Sequence, residues 1–100
     1  MIRMVPYQID GMTALGVEVK LPKTTLLSIS TEVGYIMCGA LDVGLLNAKL
    51  ADRAIVAGRA VGVRTLEQLL EAPLEAVTTE AERRGIHVGM RGADALRLMR

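Results

Sequence analysis

The dipeptide Asp10-Gly11 separates two strand-like runs at the start of the chain, residues 3–9 and 12–20. This dipeptide favours a two-residue type I′ turn, so the two runs are predicted to form a β-hairpin. In the second run apolar residues alternate with other residues, which is typical of an antiparallel strand with one solvent-exposed face. One face holds Leu15, Val17, Val19 and Leu21, and the other holds Gly16, Glu18 and Lys20. Pro6 lacks a backbone N–H and therefore places the first run at a sheet edge.

Two further strands are predicted near residues 26–30 and 35–38, which makes the first part an antiparallel meander. The period then changes to that of a helix, with leucines at 41, 45, 46 and 50. Residues 54–57 are wholly apolar, as expected of a buried parallel strand, and complete a βαβ unit. We therefore predict a single α+β domain over residues 1–100, in which the meander and the βαβ unit share a mixed sheet with further helices.

The last third of the chain carries several boundary signals. Thr65 and Gln68 have the spacing of a capping box and mark a helix start. Pro73 either kinks this helix or opens a second one, and Gly85 is placed as the residue after a helix end. Residues 86–88 are predicted as a short strand. A closing helix is indicated by Ala93, Leu96 and Met99.

Composition predicts self-association and excludes several classes of partner. Apolar residues make up 51% of the 100 residues, and a domain of this size has a small interior. We therefore expect part of the apolar surface to lie in a subunit contact of a homo-oligomer. The net charge is +1, and without Phe or Trp the chain lacks stacking platforms, so no nucleic-acid partner is expected.

The cysteine and histidine counts bear on compartment and metals. Cys38 is the single cysteine, which excludes an intramolecular disulfide and fits a reducing cytoplasm. His87 is the single histidine, so a zinc site within one chain is not predicted, and no cofactor is indicated. Neither a signal peptide nor an apolar run long enough to span a membrane is recognised, so we expect no membrane partner.

Four runs in the middle of the chain resemble a known family. They read YIMCGALD, LLNAKLADR, AGRAVGVRT and LLEAPLEAVT, between residues 35 and 78. These runs are similar to those of the YunC-like family of small bacterial and archaeal domains, whose function has not been established. The resemblance extends from residue 19 to residue 90 and implies an α+β fold and a cytoplasmic domain. It implies no catalytic residues.

Two turns at predicted strand ends, residues 38–42 and 58–65, hold the candidate site. If their strands are parallel neighbours, both turns lie at the edge where open α/β sheets bind ligands. Residues 53–64 contain three arginines and no acid, and arginine forks, helix-start amides and close glycine backbones suit an anion. The candidate ligand-binding residues are Gly58, Arg59, Gly62, Arg64 and Thr65.

Structural explanations stand beside this hypothesis. Arg59 and Arg64 could equally pair with the carboxylates of Asp42, Asp52 or Glu67, within one subunit or across a boundary. Cys38 is a candidate nucleophile because it precedes a predicted helix start, where a thiolate is favoured, but a free cysteine is also a small hydrophobe that packs in cores.

Asp42 is the second catalytic candidate, as a base, although a carboxylate in the first turn of a helix also stabilises the helix dipole. The function is thus unknown from sequence, and two hypotheses remain. One is a structural or interaction module that forms an oligomer. The alternative is a binder of, or enzyme on, a small anionic metabolite held between the two turns.

Overall fold

The computed structural model describes residues 1–39 and 53–100, and six strands of this part form one mixed sheet. Their order in the sheet follows the chain: β1 (Ile2–Ile9), β2 (Met12–Leu21), β3 (Thr24–Ser30), β4 (Gly34–Met37), β5 (Val56–Arg59) and β6 (Ala76–Val77). The first four strands are an antiparallel meander, β4 and β5 are parallel, and β6 is antiparallel to β5. The predicted α+β class with a mixed sheet is confirmed.

Three helices follow β5 in the described part, namely α1 (Leu66–Glu71), α2 (Thr79–Arg83) and α3 (Gly92–Arg97). The capping box at the start of α1 is confirmed, because the Gln68 amide donates to the Thr65 hydroxyl at 3.1 Å. The Gln68 side chain reaches back to the amide of Arg64 at 2.7 Å. The helix predicted around residues 41–50 lies outside the described residues, and none of the helices that the structure describes is long and apolar enough to cross a membrane.

Backbone torsion angles account for the hairpin turn, and the hydrogen-bonding pattern of β1 accounts for its position at the sheet edge. Asp10 and Gly11 have φ angles of 49° and 81°, and a type I′ turn requires positive values at both positions. The Lys20 amide donates to the Met1 carbonyl at 2.9 Å, so the odd-numbered residues of β1 exchange hydrogen bonds with β2. Even-numbered residues direct their backbone groups outward, and Pro6, which has no N–H, is one of them.

The two faces of the sheet differ in what covers them. On the inner face, Leu27, Ile29 and Ile36 are fully buried. Helix α1 packs there against β2 and β3, and α3 packs against β1 and β4. The core of the described part therefore lies between this face and the two helices.

The alternation of β2 is confirmed, but the wet face is the apolar one. Leu15 and Leu21 are 39% and 45% exposed, whereas Gly16 and Glu18 are buried on the inner face. A Cβ at Gly16 would lie 2.8 Å from Cε2 of Tyr7 and 3.1 Å from Cδ1 of Leu66. Only glycine lets these two side chains approach the sheet, so the face with the small residue is the one that the helix covers.

The predicted strand at residues 86–88 is wrong. The Ile86 amide bonds back to the Ala81 carbonyl at 3.0 Å, and Gly85, with φ at 89°, turns the chain after α2 as predicted. Ile86 is buried in the core and His87 is exposed in the following segment. The sixth strand lies at Ala76–Val77 instead, because α1 ends before Pro73 and the chain continues in extended form.

Candidate functional site

A cavity of about 480 Å³ opens at the end of the sheet where the β2–β3 turn meets the loop before α1. Its described lining comes from the end of β2, the turn, the start of β3 and the loop. These residues are Lys20, Leu21, Lys23, Thr24, Thr25, Val63 and Arg64. The start of β3 lies beside the last residues of β4, because Cys38 N donates to Leu27 O. The cavity is therefore at the end of the sheet where β4 finishes.

The charge of the cavity is positive. Lys20, Lys23 and Arg64 line it, and none of the described lining residues is acidic. Within residues 1–39 and 53–100 these three cations form no ion pair, although eight other ion-pair contacts are present. A concave surface with three cations that have no acidic partner in the described part of the chain attracts anions.

The geometry of the β2–β3 turn brings the lysines together with two hydroxyl groups. Lys20 lies directly opposite Thr25, and Leu21 lies opposite Thr24. Lys23 closes the turn with φ at 65°, in the left-handed region that a side chain of this size rarely adopts. A positive φ at the residue that follows a proline is what a type II turn requires, so the conformation of Lys23 follows from the turn that joins β2 to β3.

The backbone of Arg64 is anchored to the start of α1. Its amide donates to the Gln68 side chain, which holds residue 64 against the first turn of α1. Gly62 has φ at 76°, so the loop turns at that residue with a conformation that favours glycine. Thr65 caps α1 with its hydroxyl, so its side chain has a structural role.

Arg59 pairs with a carboxylate and is not among the described lining residues of the cavity. Arg59 lies in register with Met37 and forms an ion pair with Glu75, in which Nη2 donates to one carboxylate oxygen at 3.1 Å and Nε lies 3.0 Å from the other. Gly58 packs closely, since a Cβ there would lie 2.8 Å from Cδ1 of Leu74. Of the predicted ligand-binding residues, only Arg64 is among the described residues that line this cavity.

Cys38 lies in the core with 7% of its surface exposed. Its Sγ is 3.5 Å from the Leu27 amide nitrogen and 4.0 Å from the Thr25 carbonyl oxygen. The thiol therefore lies against the first residues of β3, and one of these, Thr25, also lines the cavity. Asp42, the other predicted catalytic residue, lies outside the described residues, and in the described part no group of three or more His, Cys, Asp or Glu side chains could hold a metal ion.

Sequence reasoning missed Lys20, Lys23, Thr24 and Thr25. The signal was the run Lys-Leu-Pro-Lys-Thr-Thr at residues 20–25, which places two lysines and two hydroxyls around a proline turn. Its proximity to Arg64 depends on how the meander and the loop before α1 meet, which spacing along the chain does not specify.

The fold and this site define a small α+β domain with a cationic cavity at one end of a mixed sheet. The chain belongs to the family described as Domain of unknown function (DUF1805), which matches residues 37–99. It is 59% identical over 96 residues to the uncharacterized protein YunC of Bacillus subtilis (strain 168), covering 96% of this chain and 95% of that protein. The resemblance to a YunC-like family is confirmed.

The fold is also that of a solved protein. The crystal structure of a protein of unknown function, TA1206 from Thermoplasma acidophilum, superposes with a TM-score of 0.90 at 27% sequence identity. The likeness covers 100% of this chain and 94% of that one. None of these names states an activity, so a function has to be argued from the residues of the site.

Proposed function

We propose that this protein binds a small anionic molecule in the cavity between the β2–β3 turn and the loop before α1. The observation that carries the proposal is the convergence of Lys20, Lys23 and Arg64 on one cavity without an acidic partner among the described residues. Three like charges held together repel one another, and an anion between them removes that repulsion.

The size and chemistry of the cavity indicate which class of ligand it binds. A volume of about 480 Å³ lies within the range of small-molecule sites rather than of macromolecular surfaces. Arg64 can contact a phosphate or carboxylate with two parallel N–H groups, while Lys20 and Lys23 act as point charges. The hydroxyls of Thr24 and Thr25 add donors, so a phosphorylated or carboxylated metabolite fits best.

Thermal shift and calorimetric titration with inorganic phosphate, citrate and acetate test this proposal. Saturating ligand should stabilise the wild type, by about 2.7 kcal/mol at 100 times Kd. Lys20→Gln and Arg64→Gln should each weaken binding about tenfold, because each removes one charge from the cavity. The matched control is Arg83→Gln, which removes an exposed charge paired with Glu80 elsewhere.

Two results would overturn the proposal. Absence of any shift with all three anions would show that the cations do not form a site. Equal weakening by Arg83→Gln and Arg64→Gln would show that only the net charge of the protein attracts the anion. The proposal concerns binding, and the predicted catalytic roles of Cys38 and Asp42 stay predictions.

We also propose that the protein is a homo-oligomer that associates through the apolar face of β1–β3. We call this the outer face, and it holds Ile2, Met4, Leu15, Val17, Val19, Leu21 and Leu26. Ile2 and Met4 are 65% and 64% exposed. An apolar sheet face that stays wet while the strand's glutamate is buried is typical of an interaction surface.

A second copy is the partner that suits this face. All side chains that β1, β2 and β3 direct to this side are uncharged, so a partner selected by charge gains nothing here. A two-fold dimer pairs a surface with itself, and two twisted sheets pack face to face about 10 Å apart. The net charge of +1 adds little repulsion between copies.

Light scattering after size-exclusion chromatography tests the association. The wild type should elute as an oligomer, and Met4→Glu and Leu15→Glu should shift it to the monomer because they bury a charge at the contact. Val88→Glu is the matched control, since Val88 is 60% exposed but lies outside the sheet. A wild type that is monomeric at high micromolar concentration would contradict the proposal.

A cytoplasmic location is proposed on the ground of the single free cysteine alone.

A further inference from the structure

Two aliphatic side chains border the cationic cavity. Leu21 and Val63 are among its described lining residues, together with the three cations. Leu21 is 45% exposed, and Val63 is half-buried and packs against the core. Apolar surface that faces water in a concave site is unfavourable, and a ligand that covers this surface gains binding free energy. The cavity therefore offers a ligand an apolar contact as well as charge.

Each aliphatic residue is adjacent in the chain to a cation. Leu21 follows Lys20 at the end of β2. Val63 precedes Arg64 in the loop before α1. Neighbouring side chains of a strand point to opposite faces, so Leu21 and Lys20 border the cavity from different sides. The backbone of Leu21 is fixed by its pairing with Thr24, and that of Arg64 by its hydrogen bond to the first turn of α1. The charged and the apolar parts of the lining are thus separate and fixed.

Association of two copies through the outer face does not account for both aliphatic side chains. Leu21 lies at the end of that face and would also be covered in a dimer. Val63 lies outside the sheet, in the segment between β5 and α1, so a contact between two sheet faces does not explain its place in the lining. Val63 is therefore the residue at which a ligand and a second copy can be told apart.

We infer that the ligand is an amphipathic anion, in which one phosphate or carboxylate group is joined to a short aliphatic chain. This inference rests on the proposed anion site. The charged group lies among Lys20, Lys23 and Arg64, and the aliphatic chain covers Leu21 and Val63. A cavity of about 480 Å³ holds a small molecule, so the chain is shorter than a lipid tail.

Two homologous series of ligands test the inference by calorimetry. One series is methyl, propyl and hexyl phosphate, and the other is acetate, butyrate and hexanoate. For the wild type, Kd should fall about fourfold for each methylene group that becomes fully buried, until the chain outgrows the cavity. The heat capacity change of binding should become more negative along each series, because more apolar surface is buried.

Variants of the two aliphatic residues locate the chain of the ligand. Val63→Thr keeps the shape of the side chain and replaces one methyl group by a hydroxyl, which makes the lining more polar. It should reduce the gain along each series and leave the affinity for methyl phosphate unchanged, and Leu21→Ser should do the same. Val61→Ser is the matched control and should keep the full gain, because Val61 is 54% exposed in the same loop but is not among the described lining residues.

The outcomes separate this inference from the anion site. Equal affinities along both series, or binding of inorganic phosphate but of no alkyl phosphate, would overturn the inference and leave the anion site standing. A gain that neither Val63→Thr nor Leu21→Ser reduces, or that Val61→Ser reduces equally, would show that the aliphatic chain lies elsewhere and would also overturn it. Absence of binding by every member and by inorganic phosphate would overturn both proposals.

Discussion

The thiol of Cys38 lies 3.5 Å from the amide nitrogen of Leu27, so the sulfur accepts a backbone hydrogen at the start of β3. Cys38 is also buried in the core, with 7% of its surface exposed. A buried thiol in an apolar setting is inert, and reactivity requires exposure.

Alkylation of Cys38 should therefore be slow in the folded protein. Iodoacetamide should label the single cysteine at a rate set by opening of the structure, and completely in denaturant. Mass spectrometry after timed quenching measures the extent of labelling. Rapid stoichiometric labelling under native conditions would contradict the burial and revive the nucleophile hypothesis.

Thr78 joins β5 to α2 through one hydroxyl group. Its Oγ1 donates to the Ile55 carbonyl at 2.6 Å and accepts from the amides of Ala57 at 3.1 Å and Ala81 at 3.3 Å. Thr78→Val keeps the shape and removes all three bonds, so unfolding free energy should fall by about 3 kcal/mol. Thr65→Val, which removes only the exposed cap of α1, should cost about 1 kcal/mol. Equal losses in urea unfolding would contradict the bridging role of Thr78.

Gly34 allows β4 and β5 to approach each other. A Cβ at this residue would lie 2.3 Å from the carbonyl oxygen of Val56, a backbone atom that cannot move aside without disrupting the parallel pair. Gly34→Ala should destabilise the protein by about 3 kcal/mol, the upper end of the usual cost of overpacking. Gly39→Ala is the matched control, because the contact that its Cβ would make with residues 1–39 and 53–100 is with Cγ1 of Val61 at 3.6 Å, an ordinary van der Waals distance. Thermal melts that place both variants near the wild type would show this prediction to be wrong.

Ionisation of Tyr7 should lower the free energy of unfolding at alkaline pH. Its pKa is raised in the folded protein, chiefly by burial and then by the Glu67 carboxylate, so folding favours the neutral phenol. The resulting stability is fully present below the unfolded value of about 10 and is lost as pH rises through the higher folded value. Tyr7→Phe should raise the free energy of unfolding by about 1 kcal/mol at neutral pH, because it removes a buried hydroxyl that has no hydrogen-bond partner among residues 1–39 and 53–100.

The difference in melting temperature between Tyr7→Phe and the wild type should grow above about pH 10. Melts across the alkaline range measure it, and Tyr35 is present in both proteins, so its titration cancels in the comparison. A difference that is constant with pH would show that Tyr7 does not titrate as the fold requires.

Local signals in the sequence predicted the first part of the fold well. The Asp10-Gly11 turn sets the register of the hairpin, and Pro6 identifies the edge, because both act through backbone geometry within a few residues. The orientation of β2 could not be predicted in the same way. Which face is buried depends on the contact of Leu66 with Gly16, a relation between residues 50 positions apart.

The cavity lies at the end of the sheet where the candidate turns were predicted, but most of its described lining residues were not among the predicted ones. Arg64 lines the cavity, whereas Arg59 pairs with Glu75, a carboxylate that the βαβ pattern did not place beside it. The lysines come from a hairpin 40 residues earlier in the chain, and only the assembled sheet brings Lys20 to Arg64. Asp42 lies outside the described residues, so its role stays a prediction.

Pro6 interrupts the free edge of the sheet at β1. A further strand laid along β1 would need a donor at each outward-facing residue, and at Pro6 it would find none. Growth of the sheet from molecule to molecule is therefore interrupted in the middle of its free edge, while the broad face beside it stays available for contact. The apolar outer face therefore lies beside a sheet edge that is a poor template for a further strand.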